Sequence, residues 1–139
     1  MQTIKEIQEQ IIEEFAVFSD WMEKYEYLID LGKSLEPLDE KARTESNLIK
    51  GCQSRVWLDA RVEDGRLFFQ ADSDAIITKG IVSLLIRVFS GRTPREILDA
   101  DMSFITTIGL KDHLSPTRSN GLLAMIQQIH LYAVAAEKV

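Results

Sequence analysis

Apolar residues recur along this chain with two different periods. Ile4, Ile7, Ile11, Phe15 and Phe18 fall in steps of three and four, the stripe of an amphipathic helix. Asp20 followed by Glu23 reads as the start of a second helix with an acidic first turn. Trp21, Tyr25, Leu28 and Leu31 mark its stripe, which ends near Gly32. From Lys33 to Gly51 the pattern dissolves into charges, Pro37 and Asn47, predicting a long surface loop of the kind that is often functional in a compact domain. After Cys52 the period drops to two: Val56, Leu58, Ala60 and Val62 alternate with Trp57, Asp59, Arg61 and Glu63, which predicts a strand. Asp64-Gly65 is a hairpin turn signal, and Arg66 to Gln70 return as the second strand of an antiparallel sheet.

The stretch ADSDAIITKGIVSLLIRVFSG is helical again. Ser73 or Asp74 is the expected cap, Ile77, Ile81, Leu84, Leu85 and Val88 the buried face, and Gly91 the stop. Thr93-Pro94-Arg95-Glu96 combines a capping threonine, proline at the first helical position and glutamate at the third, so a short helix follows to about Ala100. Asp101 to Ser119 reads as irregular, with at most one short helical turn. Leu122, Ile126, Ile129, Ala133 and Ala136 lie on one stripe of a final helix. Helices, then a small sheet, then helices make the class α+β. No internal repeat and no low-complexity segment is present.

At 139 residues the chain fits one domain, spanning 1–139, large enough to hold a single core without staples. The net charge of −6 argues against a surface built to neutralise nucleic-acid phosphates. No apolar run approaches the length of a membrane span. The N-terminal MQTIKEIQEQIIEEF lacks a basic run followed by an apolar core, so no secretion signal is read and a cytoplasmic location is expected.

The chain holds one cysteine, Cys52. It can form no internal disulfide, which fits a reducing compartment, and no cysteine-rich metal site. The two histidines, His113 and His130, are not at metal-ligand spacing. Free cysteine often acts only as a small buried hydrophobe, and an inert Cys52 in a binding module is one reading. Its setting in IKGCQSRVW offers another. Gly51 gives the backbone freedom that a moving or closely approached loop needs, and Lys50 and Arg55 favour a thiolate if the fold brings either charge near. Such a thiolate would attack an external electrophile: an acyl carbon, a peroxide, or another protein's sulfur. A Cys-His hydrolase would use His113 as its base.

The stretch GCQSRVW resembles the signature of the SufE family of sulfur-acceptor proteins. WMEKYEYLIDLGKSL, DSDAIITKGIVSLL, the Thr-Pro start of a short helix and HLSPTRSNGLLAMI resemble the same family in order and spacing, so the likeness covers nearly the whole chain. The resemblance implies a protein that takes persulfide sulfur from a pyridoxal-phosphate cysteine desulfurase, SufS-like or of the CsdA-like paralogue. It passes that sulfur on to a downstream iron–sulfur scaffold. Cys52 matches the acceptor cysteine. Asp74 and Arg118 match residues associated with the cysteine loop and with desulfurase binding, and Gly51, Gln53, Ser54 and Trp57 travel with the motif. Lys79 and Gly80 match a Lys-Gly pair to which no role is assigned, and His113 a position often filled by histidine. The implied protein has no cofactor or metal of its own, is an accessory rather than an enzyme, and is a monomer or weak homodimer. The fold implied also resembles that of IscU-type cluster scaffolds. A scaffold needs several thiolates, so one cysteine excludes that role.

Overall fold

The structure is a computed structural model that describes the chain apart from residues 1, 51–53, 111–113, 115, 138 and 139, and the side chains of residues 116 and 117. Helix α1 (Ile4–Ala16) opens with a capping box: Thr3 Oγ1 accepts from the Glu6 amide at 3.1 Å, and Glu6 Oε1 accepts from the Thr3 amide at 3.2 Å. Its buried face is Ile4, Gln8, Ile11 and Phe15, with Gln8 taking the place expected for Ile7. Gln8 is tolerated there because its Nε2 donates to the Asp101 carbonyl at 2.8 Å. Phe18 lies beyond the end of α1, with its ring 5.1 Å from that of Tyr27. Helix α2 (Trp21–Lys33) is capped by Asp20, whose Oδ1 accepts from the Glu23 amide at 2.9 Å.

The segment from Lys33 to Lys50 departs from the expected surface loop. Leu38 and Ala42 are buried, and two 3-10 turns, Glu40–Ala42 and Glu45–Asn47, order it. Local side chains hold these turns: Asp39 accepts from the Lys41 amide, and Asn47 Nδ2 donates to the Ala42 carbonyl at 2.8 Å. Two isolated apolar residues have no period, so the pattern hid the packing.

Strands β1 (Val56–Glu63) and β2 (Arg66–Ser73) pair antiparallel in the register Val56↔Ser73 to Glu63↔Arg66. Asp64 at φ 53° and Gly65 at φ 75° give both positive angles that a type I′ turn demands. Val56, Leu58, Leu67, Phe69 and Ala71 share the core face, and Trp57, Asp72, Asp59, Gln70, Arg61 and Phe68 the other. β2 runs three residues past Gln70, through Asp72 and Ser73, whose polar side chains find partners described below.

Helix α3 (Ile76–Phe89) is the central element, buried on most sides. It packs on α2, β2, α1 and the last helix. After it, Gly91 adopts φ 81° and the chain returns to the sheet, where Leu67 donates to the Arg92 carbonyl at 2.8 Å. The Arg92 side chain, in a residue 3% exposed, donates to the Gln2 carbonyl and so holds the start of α1. Helix α4 (Pro94–Asp99) carries the expected Thr93–Glu96 capping box and Pro94 in its first turn. α5 (Ser103–Thr107) is a short helical piece within the stretch expected to be irregular, and a further helical bond there runs from the Leu114 amide to the Leu110 carbonyl at 3.1 Å.

The last helix, α6, spans Pro116–Glu137 and begins six residues before its apolar stripe does. Its first turn is polar, so hydrophobic periodicity could not reveal it. The stripe itself, Leu122, Met125, Ile126, Ile129 and Ala133, is buried. The architecture is α+β, helices around a two-stranded antiparallel sheet.

Candidate functional site

Gly51, Cys52 and Gln53 lie outside the described residues, and so does His113. What the structure shows is how the chain on either side of Cys52 is held. On one side Ile49 donates its amide to the Val56 carbonyl at 2.9 Å, and Leu48 bridges to Trp57, so the chain leading up to Lys50 is paired to the start of β1. On the other side Arg55 is gripped through its backbone. Its amide donates to Asp74 Oδ1 at 3.0 Å, and its carbonyl accepts from the Asp74 amide at 3.2 Å and from Ser73 Oγ at 2.8 Å. Ser54, half-buried, has its Oγ 3.4 Å from Thr78 Oγ1 in the first turn of α3.

This geometry corrects the expected role of Ser73 and Asp74. The residue at the head of α3 is Ala75, and no side chain caps that helix. Asp74 is turned to Arg55 instead, where it satisfies a loop amide that the sheet leaves unpaired. Ser73 Oγ accepts from the Ala75 amide at 3.2 Å and donates to Arg55, so one hydroxyl joins the helix approach to the loop. Lys50 and Arg55 are both exposed.

Beneath this mouth sits a charge cluster that the sequence pattern does not reveal. Asp72 lies directly across the sheet from Trp57. Its carboxylate accepts from Arg43, which belongs to the segment before the cysteine loop. Asp72 Oδ1 accepts from the Ser73 amide at 2.8 Å and lies 3.4 Å from Lys79 Nζ in the first turn of α3. The Arg43 guanidinium also stacks 5.0 Å from the Trp57 ring centroid, and its Nε lies 3.4 Å from Glu40. Burial works to raise the Asp72 carboxyl. The Arg43 hydrogen bond, the Ser73 amide and the Lys79 charge outweigh it, and the group sits below its ordinary range.

Gly80, of the unassigned Lys-Gly pair, has a packing role. A Cβ there would lie 2.1 Å from the Leu28 carbonyl oxygen, so only glycine lets α2 and α3 approach this closely. Gly32 meets the same contact from α2, with Gly80 N 2.9 Å from its ideal Cβ.

On the apolar side, Ile49, Val56, Val82, Met125 and Ile129 line a small cleft where α6 meets the loop's base. Arg118 is exposed in the first turn of α6, on the stripe that continues through Leu122 and Met125, rather than in a loop. Trp57 is half-buried and covers Arg43. His130, half-buried on α6, is remote in sequence from every residue of the mouth. Among the described residues no three His, Cys, Asp or Glu side chains are grouped to hold a metal ion, and no helix is long and apolar enough to cross a membrane.

The fold and sequence have counterparts. A hypothetical protein from Thermus thermophilus, solved in solution, superposes with a TM-score of 0.78 over 96% of this chain and 97% of its own, at 21% identity. That likeness speaks for the fold. An uncharacterized SufE-like protein of Rhizobium meliloti (strain 1021) is 41% identical over 126 residues, covering 87% of this chain and 90% of its own. Another, from Synechocystis sp. (strain ATCC 27184 / PCC 6803 / Kazusa), is 39% identical over 125 residues, covering 90% of this chain and 79% of its own. The family model SufE, described as an Fe-S metabolism associated domain, matches residues 9–133. With that match across the hairpin, the gripped loop and both flanking helices, the chain belongs to the SufE family and has a role in iron–sulfur metabolism.

Proposed function

We propose that this protein is a sulfur acceptor that takes persulfide sulfur from a pyridoxal-phosphate cysteine desulfurase onto Cys52 and delivers it for iron–sulfur cluster assembly. The Cys52 thiolate attacks the outer sulfur of the desulfurase's cysteine persulfide. The bond between the two desulfurase sulfurs breaks, a new sulfur–sulfur bond forms on Cys52, and the desulfurase cysteine leaves as a thiolate. The outer sulfur keeps its proton, and no oxidant or reductant is consumed. The same chemistry, run against a downstream scaffold, discharges the sulfur.

The observation that carries this reading is the double anchorage of the segment bearing the chain's one cysteine: Ile49 to Val56 on one side, Arg55 to Ser73 and Asp74 on the other. A thiol that must enter another protein's site gains from a mount that limits the conformations lost on docking. In this reading Asp74 and Ser54 support the loop. Gly51 and Gln53 flank the thiol, and Arg118 contacts the desulfurase. The pyridoxal phosphate belongs to the partner, which is SufS-like or CsdA-like. The protein acts as an accessory that stimulates the desulfurase, in the cytoplasm.

The test is mass spectrometry of the protein incubated with a cysteine desulfurase and free cysteine, without reductant. Cys52 is expected to gain one sulfur atom only when the desulfurase is active, and Cys52→Ser to gain none while folding normally. An unmodified Cys52 with both desulfurase types overturns the reading.

A further inference from the structure

Asp72 is an unusual residue to find near the end of a strand. Its side chain is 7% exposed, its charge is held by two cations, and it stands opposite the one aromatic residue of the signature stretch. Burying such a group is costly, and an apolar replacement of a buried ion pair is often neutral or stabilising. Stability alone therefore does not explain it. Its partners do not come from its own strand. Arg43 belongs to the segment that leads into the cysteine loop, and Lys79 to the first turn of α3, next to the Thr78 that meets Ser54. Asp72 is also the residue before Ser73 and Asp74, which grip Arg55. One carboxylate thus joins the three elements that meet around residues 50–55: the incoming segment, the sheet and the helix.

We infer that Asp72, bridging Arg43 and Lys79, is a positioning residue that sets how the segment bearing Cys52 is presented for sulfur transfer. The inference rests on the acceptor role proposed above. Arg43 contributes in two ways. Its fork reaches the Asp72 carboxylate while its plane covers Trp57, so lysine at this position keeps the charge and loses the shared geometry. Lys79 is the outer and weaker of the two ties, since its side chain is more than one third exposed.

The experiment uses the full chain with Asp72→Asn, Arg43→Lys and Lys79→Gln. Two rates are read beside the thermal midpoint. The first is alkylation of Cys52 by iodoacetamide in the folded protein alone. The second is sulfur loading from a cysteine desulfurase, resolved into kcat and the KM for this protein. Asp72→Asn and Arg43→Lys are expected to change the alkylation rate about tenfold and to lower loading kcat about tenfold, with KM little changed. Lys79→Gln is expected to shift both rates in the same directions by about threefold. A role confined to folding would move the midpoint and leave both rates within twofold, and that result overturns the inference. Should Asp72→Asn fail to fold, Arg43→Lys and Lys79→Gln decide by the same criterion. Should the wild type load no sulfur, the acceptor reading fails, and the alkylation rates still decide whether Asp72 sets the exposure of Cys52.

Discussion

Replacing Gly80 by alanine isolates the close approach of α2 and α3 from every other contact in the molecule. The added methyl would stand 2.1 Å from the Leu28 carbonyl oxygen, 2.7 Å from its carbon and 3.1 Å from its Cα. Carbon and oxygen in close contact sit at about 3.3 Å, so the helices must part by about 1.2 Å along this line. The obstacle is backbone, and Leu28 is fully buried, so no side chain can swing aside. Overpacking of a core costs about 1–3 kcal/mol, and a rigid obstacle puts this site near 3. Alanine's better helix propensity returns about 1 kcal/mol. The expected net loss is about 2 kcal/mol, or roughly 6–8 °C in the midpoint for a chain of this length. Thermal and urea unfolding followed by circular dichroism measure it. Gly65→Ala is the companion variant: open space surrounds that position, so its loss of about 1 kcal/mol comes from the positive φ alone. A Gly80→Ala protein as stable as wild type, or more so, would refute the packing argument.

Thr93→Ala removes one half of the α4 capping box and is expected to lower stability by about 1 kcal/mol in urea unfolding, with Thr93→Ser largely restoring it. Asp74→Ala frees the Arg55 amide; the contact is exposed, so stability should fall by less than about 1 kcal/mol while amide exchange at Arg55 accelerates. Burial and the bond donated to Glu14 push the Tyr27 hydroxyl up to about 12. Between pH 10 and 12 the folded chain keeps a proton that the unfolded chain loses, so stability should fall as pH rises through that window. Absorbance titration of tyrosinate checks this, and Tyr27→Phe should remove the component near pH 12. Loss of a component near pH 10 instead would refute the assignment.

Much of the framework can be read from the chain because its signals are local. Asp64-Gly65 fixes the hairpin and, through it, the register that sets Asp72 opposite Trp57. Asp20 and the Thr93–Glu96 pair mark helix starts within four residues. The apolar runs of α3 and α6 fix the core. What escapes is either aperiodic or distant. Leu38 and Ala42 are buried without a pattern, and the first turn of α6 is polar, so a rule keyed to apolar spacing passes over both. The Thr3–Glu6 box carries a legible signal, threonine three residues before glutamate, that the apolar stripe of α1 overshadows. Asp74 has a capping residue's chemistry at a capping position, but Arg55, nineteen residues back, claims its carboxylate. The Arg43–Asp72 pair spans 29 residues and depends on where a patternless segment packs, which no local rule gives.

The anchors around Cys52 also set a length. Ile49 and Arg55 are held to the sheet, and Cys52 stands three residues from each. A chain extends at most about 3.5 Å per residue, so the Cys52 Cα is tethered within roughly 10 Å of the sheet's end, however the segment is arranged. If Cys52 is the acceptor proposed above, a persulfide lying deeper than that distance plus one side chain's reach cannot be met by this segment alone. Under the acceptor role proposed above, so short a leash requires the body of the protein itself to seat against the entrance, and the surface around residues 49 and 55 then determines which desulfurase clefts it fits.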